Sequence, residues 1–131
     1  MDLPYSIGIS PTLHIRGMIA SRDIRAKEVI EACPVVLLPI SELSHINNTE
    51  LQNYYFDWDK KHIAITLGYG SIINHSFKPN AAYRWDYTHH RIVYFALQSI
   101  ASGEEIFINY NGDPMDTTPL PAGWTSFRKG K

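Results

Sequence analysis

Short segments in which apolar residues alternate with polar ones follow one another along most of the chain, a pattern typical of β-strands. The clearest case is 62–67, where isoleucine, isoleucine and leucine occupy every second position. Pro34 lies inside another such segment and indicates an edge position or a bend, because proline donates no backbone hydrogen bond. The predicted strands are 12–20, 27–38, 62–67, 81–87, 91–97 and 106–110.

One stretch between these strands has helical rather than strand spacing. Ser41 and Thr49 are suited to begin helices, and the apolar and aromatic residues after Thr49 are spaced for one helical face. We therefore predict a helical or irregular insert at 41–59. The chain has no regular alternation of helices and strands and no glycine-rich phosphate loop, so a doubly wound parallel sheet is excluded.

The composition is that of an ordinary globular protein. Of the 131 residues, 44% are apolar and 19% are charged, which is enough for one small core. The net charge of −1 gives no large basic field for a nucleic-acid backbone. The longest apolar run, 35–38, lies between prolines, and no signal-like leader opens the chain. We expect one domain at 1–131, soluble and intracellular, in the cytoplasm or the nucleus.

The residues that most often bind metals are few and poorly placed for it. Cys33 is the one cysteine, and its apolar neighbours favour a buried structural thiol. His89 and His90 are adjacent, so their side chains point in different directions and favour a solvated turn. Glu104 and Glu105 precede a predicted strand, where a solvated acidic pair is expected. We therefore expect no metal site.

A polar segment at 74–80, Asn-His-Ser-Phe-Lys-Pro-Asn, interrupts this apolar pattern. Gly68 and Gly70 precede it and permit a close backbone approach or a positive φ. Its first three residues lie between Ile73 and Phe77, so partly buried polar groups there need partners. By itself the segment is either a tight turn stabilised by its own side chains or part of a site.

Three motifs, taken together, favour the site. Segment 74–80 resembles the Asn-His-Ser-x-x-Pro-Asn signature of SET-domain protein-lysine methyltransferases. Segment 103–110, Gly-Glu-Glu-Ile-Phe-Ile-Asn-Tyr, resembles the second signature of that family, which ends in a tyrosine. Segment 15–20 resembles the N-terminal glycine-containing turn, and 21–30 the turn and strand after it. The motifs occur in the family's order, and the resemblance covers about 12–112.

The resemblance implies a fold and an activity. The fold would be the SET fold, which is mostly β and β-clip-like, with small curved sheets, a small helical insert and a knot-like C-terminal crossing. The activity would be transfer of a methyl group from S-adenosyl-L-methionine to a lysine side chain of a protein, with histones among the substrates. The alternative is a catalytically inactive SET-fold module that binds a cofactor or a partner.

The resemblance also implies roles for individual residues. Tyr110 matches the catalytic tyrosine, and Tyr83 a residue that lines the lysine channel, which favours mono- or dimethylation. Further channel candidates are Tyr54, Tyr55 and Tyr69. Trp124 or Phe127 would either stack on the adenine or merely anchor the tail. The implied catalytic residues are Tyr110, Tyr83 and Tyr69, and the implied cofactor-binding residues are Arg16, Gly17, Met18, Asn74, His75, Tyr110 and Trp124.

The sequence departs from the family pattern at three positions. Ile15 replaces the first glycine of the N-terminal turn, and Asn109 replaces the aspartate that commonly precedes the tyrosine. Phe77 replaces a cysteine that binds zinc in part of the family, and no cysteine follows Tyr110. We therefore expect a stand-alone minimal SET domain, whose tail at 113–131 covers the site without zinc. The peptide substrate would bind as an extended strand, and both a monomer and a homodimer remain open.

Overall fold

The computed structural model describes residues 2–120, and strands dominate this part of the chain. One α-helix, α1 (Leu43–Ile46), lies between 3₁₀ turns at Ile40–Glu42 and Glu50–Asn53, and a third 3₁₀ turn spans Gly70–Ile72. The strands are β1 (Tyr5–Ile9), β2 (Arg16–Ala20), β3 (Val29–Pro39), β4 (Tyr55–Asp57), β5 (His62–Thr66), β6 (Asn74–His75), β7 (Ala81–Asp86), β8 (Arg91–Ala96) and β9 (Glu105–Ile108).

These strands form two sheets. The first has the order β1-β2-β9-β6, and the second has the order β4-β5-β3-β8-β7. In the first sheet β9 runs antiparallel to β2 and parallel to β6. The last strand in sequence therefore lies between two others, and this position brings the two sequence motifs together.

The second sheet curls until side chains bridge its two edge strands. From β7, the Trp85 indole donates to the carbonyl of Asp57 at 2.7 Å, and just beyond β7 the Tyr87 hydroxyl donates to the carbonyl of Trp58 at 3.0 Å. The rings of Phe56 and Tyr83 also meet edge to face, with centroids 5.2 Å apart. These bonds use edge carbonyls that would otherwise be open to another strand.

The predicted strands are largely confirmed, with small shifts at their ends. The β7–β8 hairpin has the predicted turn, and Ala81 pairs with Ala96 at its open end. The edge position predicted from Pro34 is wrong, because β3 lies between β5 and β8. Pro34 lies where β3 changes its partner: residues 29–34 pair with β8 and residues 35–39 pair with β5. The missing N–H therefore falls at a break in the hydrogen-bond ladder.

The predicted insert is helical or irregular as far as residue 54. Thr49 begins a 3₁₀ turn as expected, since its side chain accepts from the Leu51 backbone N–H at 3.2 Å. The prediction is wrong only for Tyr55–Asp57, which form β4 and pair with β5, with Tyr55 opposite Ile65. The first predicted strand also begins too early: residues 11–13 form a turn, and His14 has φ of 60°.

The hydrophobic core draws its residues from both sheets. Tyr94 is its largest fully buried side chain, and Cys33 is 1% exposed, which confirms the predicted buried thiol. Ile73, Ile106 and Ile108 belong to the same cluster, so the strands that carry the two motifs are anchored in the core. Within residues 2–120, no helix is long and apolar enough to cross a membrane.

Alkaline pH is expected to destabilise the fold through Cys33. Burial and the neighbouring Glu31 carboxylate raise the thiol pKa from 9.0 to about 12. The native state therefore keeps a proton that the unfolded chain loses, so stability falls as the pH rises from 9 toward 12. The check is urea unfolding at about pH 8 and about pH 10 for the wild type and Cys33→Ala. Between these two pH values the wild type should lose more free energy of unfolding than Cys33→Ala. Equal losses would show that Cys33 does not cause the alkaline destabilisation.

Candidate active site

Pairing between β6 and β9 places the two sequence motifs side by side. Asn74 lies opposite Phe107 and His75 opposite Ile108, in parallel register. The Ser76 N–H extends the ladder by donating to the Ile108 carbonyl at 2.9 Å. Residues more than 30 positions apart in the sequence therefore share one edge of the first sheet.

Asn80, the last residue of the first motif, fixes this arrangement from the other side. Its Nδ2 donates to the Glu105 carbonyl at 2.9 Å, and its Oδ1 accepts from the Phe107 N–H at 2.8 Å. The side chain thus replaces a strand partner for β9. Asn80 acts on the backbone of the second motif, which is a structural role.

Tyr110 is held at both ends, by His75 of the first motif and by Ile73 just before it. Its backbone N–H donates to His75 Nδ1 at 2.9 Å, and its hydroxyl donates to the Ile73 carbonyl at 2.7 Å. The His75 and Tyr110 rings lie 5.1 Å apart. The phenol therefore has a fixed position beside the start of β6, where a reacting group could be oriented.

The His75 ring lies between two aromatic rings. Phe77 packs edge-on against it, with centroids 4.5 Å apart and an interplanar angle of 90°. Phe77 is 43% exposed, so this contact lies at the surface of the site. Where a cysteine would bind zinc, this chain has an aromatic contact. Residues 2–120 contain no group of three or more His, Cys, Asp or Glu placed to hold a metal ion.

A buried carboxylate lies beneath Asn74. The Asn74 Nδ2 donates to Glu105 Oε2 at 2.9 Å and to the Arg16 carbonyl at 3.0 Å. The Ser10 hydroxyl donates to the other oxygen of Glu105. Glu105 is 7% exposed, so the solvated acidic pair predicted at 104–105 is wrong for this residue. Ile106 and Ile108 point into the core, so Glu105 points to the opposite face of β9, where Ser10 and Asn74 cover it.

Gly17 is required by close packing against this network. A Cβ at position 17 would lie 2.6 Å from Glu105 Oε2 and 2.9 Å from Asn74 Nδ2. Arg16, Gly17 and Met18 lie on β2, within the predicted strand at 12–20, so they do not form the turn that the resemblance implied. The Met18 side chain is fully buried in the core and its backbone lies between β1 and β9, so its cofactor-binding role stays a prediction.

Removing the Glu105 carboxylate is expected to destabilise the protein. Glu105→Ala leaves the Asn74 amide and the Ser10 hydroxyl without this acceptor, at a cost of about 2 kcal/mol in the free energy of unfolding. Glu105→Gln should lose less, because the Ser10 hydroxyl can accept as well as donate. Urea unfolding measures both, with Glu104→Ala as the exposed control. Equal effects at 104 and 105 would refute the network.

Tyr83 lies in an aromatic cluster near the segment that follows Tyr110. Its ring is 5.2 Å from Phe56, 5.6 Å from Trp85 and 6.1 Å from Tyr94, measured between centroids. A Cβ on Gly112 would lie 3.6 Å from the Tyr83 hydroxyl. These contacts are compatible with a wall of a lysine channel, and that role stays a prediction.

Tyr69 has a different setting from the one expected of a channel residue. It is 47% exposed, and its ring packs edge-on against Tyr5 with centroids 6.1 Å apart. Its backbone N–H donates to Glu31 Oε2 at 2.7 Å, which fixes the loop that leads into Asn74. The described contacts of Tyr69 thus position a loop, and its catalytic role stays a prediction.

The remaining candidates are two tyrosines at and just before the start of β4 and two aromatic residues of the C-terminal tail. Tyr54 accepts a hydrogen bond from Ser71 through its backbone carbonyl, and Tyr55 lies on β4. Their place in a channel stays a prediction. Trp124 and Phe127 lie outside the described residues.

Sequence reasoning missed Ser10, because nothing in the local pattern indicates that its hydroxyl bonds Glu105, 95 positions away.

The comparisons with known proteins agree with this geometry. The family model described as "SET domain" matches residues 15–111. A histone-lysine N-methyltransferase of Schizosaccharomyces pombe, specific for H3 lysine-37, is 33% identical over 96 residues, or 72% of this chain. The match spans 65% of that relative's length.

Solved structures show the same fold. A Plasmodium falciparum protein described as a candidate histone methyltransferase superposes with a TM-score of 0.67 and 27% identity, over 83% of this chain and 98% of that one. The Chaetomium thermophilum Polycomb Repressive Complex 2, bound to S-adenosylmethionine, has a TM-score of 0.70 and 23% identity. That match covers 84% of this chain and 15% of the other. The predicted curled, mostly β architecture is confirmed, and the chain belongs to the SET-domain family.

Proposed function

We propose that this protein transfers a methyl group from S-adenosyl-L-methionine to the side-chain amine of a lysine in a protein substrate. The observation that carries the proposal is the position of Tyr110, which His75 and the Ile73 carbonyl hold beside the Asn74 network. The family membership and the similarity to a histone-lysine methyltransferase support it.

The reaction makes clear demands on the protein. Lysine is normally protonated in water, whereas the nucleophile must be the neutral amine. A site that excludes water lowers the amine's affinity for its proton, and fixed oxygen acceptors then orient the remaining N–H bonds. A phenol that donates its own hydrogen to one carbonyl can still accept hydrogen bonds. In this account the Tyr110 oxygen orients the amine for in-line attack.

The donor and acceptor chemistry around Asn74 suits the amino-acid end of this cofactor. Both amide hydrogens of Asn74 are used within the protein, so its side chain offers a ligand an oxygen acceptor. An ammonium group needs such an acceptor, and the exposed Arg16 guanidinium suits a carboxylate. Gly17 has no side chain, so the cofactor can approach the backbone of β2 closely. When bound, the cofactor supplies the reactive sulfonium methyl group. Met18 and His75 remain further candidates for cofactor contacts, and Trp124 remains the candidate for the adenine.

The aromatic cluster around Tyr83 supplies the chemistry that a lysine channel needs. Aromatic faces enclose an aliphatic stem and tolerate the cationic methylated product. Phe56, Trp85 and Tyr94 surround Tyr83 within 6.1 Å between ring centroids. A tyrosine hydroxyl in such a channel limits how many methyl groups fit, so we propose mono- or dimethylation.

The substrate is proposed to be a histone, bound as an extended peptide that adds to a sheet edge. The β4 edge of the second sheet is partly blocked for such a peptide, because Trp85 and Tyr87 donate hydrogen bonds to the carbonyls of Asp57 and Trp58. Histone H3 peptides are the first to test, because the S. pombe relative is described as specific for H3 lysine-37. A histone substrate would place the protein in the nucleus.

The proposal is tested by incubating the protein with tritiated S-adenosylmethionine on an array of histone peptides. Label on lysine-containing peptides, and none where arginine replaces the lysine, supports the proposal. Calorimetric titration with S-adenosylhomocysteine is the second arm. Tight binding without transfer to any peptide or to whole histones would instead favour the inactive cofactor-binding module.

A further inference from the structure

We propose that Asn109 and Asn111 form an amide clamp that folds residues 113–118 back and thereby holds Gly112 as a wall of the substrate site beside Tyr83. The two asparagines act as positioning residues and do not take part in the chemistry. The placement of the clamp rests on contacts within the described chain. Its effect on substrate rests on the proposed function.

Asn109 is the buried half of the clamp. It is 2% exposed and directly precedes Tyr110. Its Nδ2 donates to the Asp116 carbonyl at 2.7 Å and to the Pro114 carbonyl at 3.5 Å. The shorter bond anchors the far side of the loop to the residue beside the catalytic candidate.

Asn111 is the outer half. Its Nδ2 donates to the Thr118 carbonyl at 2.8 Å and to the Asp116 carbonyl at 3.2 Å. Its backbone N–H donates to Asn109 Oδ1 at 2.9 Å, so the two residues are also bonded to each other. The Asp116 carbonyl therefore receives both amides, and the loop closes on a common point.

The chemistry of the clamp explains the departure from the family pattern at position 109. All the acceptors that face the two Nδ2 groups are backbone carbonyls. An ionised aspartate has acceptors only and would repel these oxygens, whereas asparagine supplies the N–H donors. Asparagine at position 109 therefore supplies the donors to residues 114 and 116 that an ionised aspartate would lack.

Gly112 connects the clamp with the substrate side. It has φ of 93°, which favours glycine, and its position lies against the aromatic cluster. A Cβ there would be 3.6 Å from the Tyr83 hydroxyl and 3.7 Å from the Trp85 ring. Displacement of residues 113–118 would therefore change the surroundings of Tyr83 more than those of Asn74.

The test compares Asn109→Asp and Asn111→Asp with Asn48→Asp as the matched control. Asn48 also donates from Nδ2 to a backbone carbonyl, that of Ser44 at 3.0 Å, but it lies in the insert. Amide hydrogen exchange in residues 112–118 should be about tenfold faster in both clamp variants and unchanged in the control. Asn111→Asp keeps the test valid if the buried Asn109→Asp fails to fold.

Steady-state kinetics test the functional half of the inference. We expect the KM for the peptide to rise about tenfold in the clamp variants, while kcat and the affinity for S-adenosylhomocysteine change by less than about twofold. Unchanged exchange in residues 112–118 would overturn the clamp. Faster exchange with an unchanged peptide KM would overturn the substrate wall. If the wild type transfers no methyl group, the proposed function fails, and with it the substrate wall, while the exchange data still decide the clamp.

Discussion

Replacing Tyr110 by phenylalanine is expected to reduce the rate of methyl transfer by about 10²- to 10³-fold, while the fold and the affinity for S-adenosylhomocysteine are retained. The substitution removes one oxygen, which bonds the Ile73 carbonyl at 2.7 Å, and leaves the ring against His75. Since the hydroxyl orients the amine, its loss should act on kcat at saturating substrate. Single-turnover transfer and calorimetry measure the two quantities separately.

Tyr87→Phe is the matched control for this substitution. The Tyr87 hydroxyl also donates to a backbone carbonyl, that of Trp58 at 3.0 Å, and the residue is 54% exposed. Both variants lose one phenol–carbonyl bond, so a small loss of stability is common to both. A reduction in kcat that is equal in the two variants would show that Tyr110 has no special role in the reaction.

Gly70→Ala is expected to be the most destabilising single substitution in the loop before the first motif, at about 3 kcal/mol in the free energy of unfolding. A Cβ at position 70 would overlap the ring and hydroxyl of Tyr94. Tyr94 is fully buried and packs against Phe56 and Tyr83, so it has no room to move. The 3₁₀ turn that begins at Gly70 leads directly into Asn74, so the site should be lost along with stability.

Urea unfolding measures this loss, with Gly8→Ala as the control. A Cβ at position 8 meets only Ile19 Cγ1, at an ordinary contact distance of 3.5 Å. The double variant Gly70→Ala/Tyr94→Leu should lose less stability than the sum of its single variants, because the overlap is with the tyrosine ring. Additive losses would show that the damage at position 70 has another cause.

Local pattern was sufficient to predict the parts of the fold that depend on near neighbours. The β7–β8 hairpin was predictable because its two strands are joined by a short turn and alternate clearly. The two-residue strand β6 was not predictable, because two residues are too short to show an alternating pattern. Its strand conformation depends on pairing with β9, which lies more than 30 positions away. β1 was missed for a different reason, since its partner β2 is near in sequence and Tyr5, Ile7 and Ile9 alternate, but the segment is only five residues long.

The candidate site shows the same division. Tyr110, Asn74 and His75 could be identified from their motifs, and the structure brings them together. Glu105 was misinterpreted as solvated, because its burial depends on the central position of β9 and on Ser10, far away in sequence. Asn109 was recognised only as a departure, because its partners are backbone carbonyls, which no sequence pattern displays.

The most direct test of the proposed methyl transfer is the mass of a histone H3 peptide after incubation with the protein and S-adenosylmethionine. We predict that the peptide gains the mass of one or two methyl groups, and that fragmentation places them on a lysine side chain. The same peptide incubated with Tyr110→Phe should stay nearly unmodified over the same time. A peptide set and whole histones that remain unmodified by the wild-type protein, under conditions in which it binds S-adenosylhomocysteine, would contradict the proposed reaction.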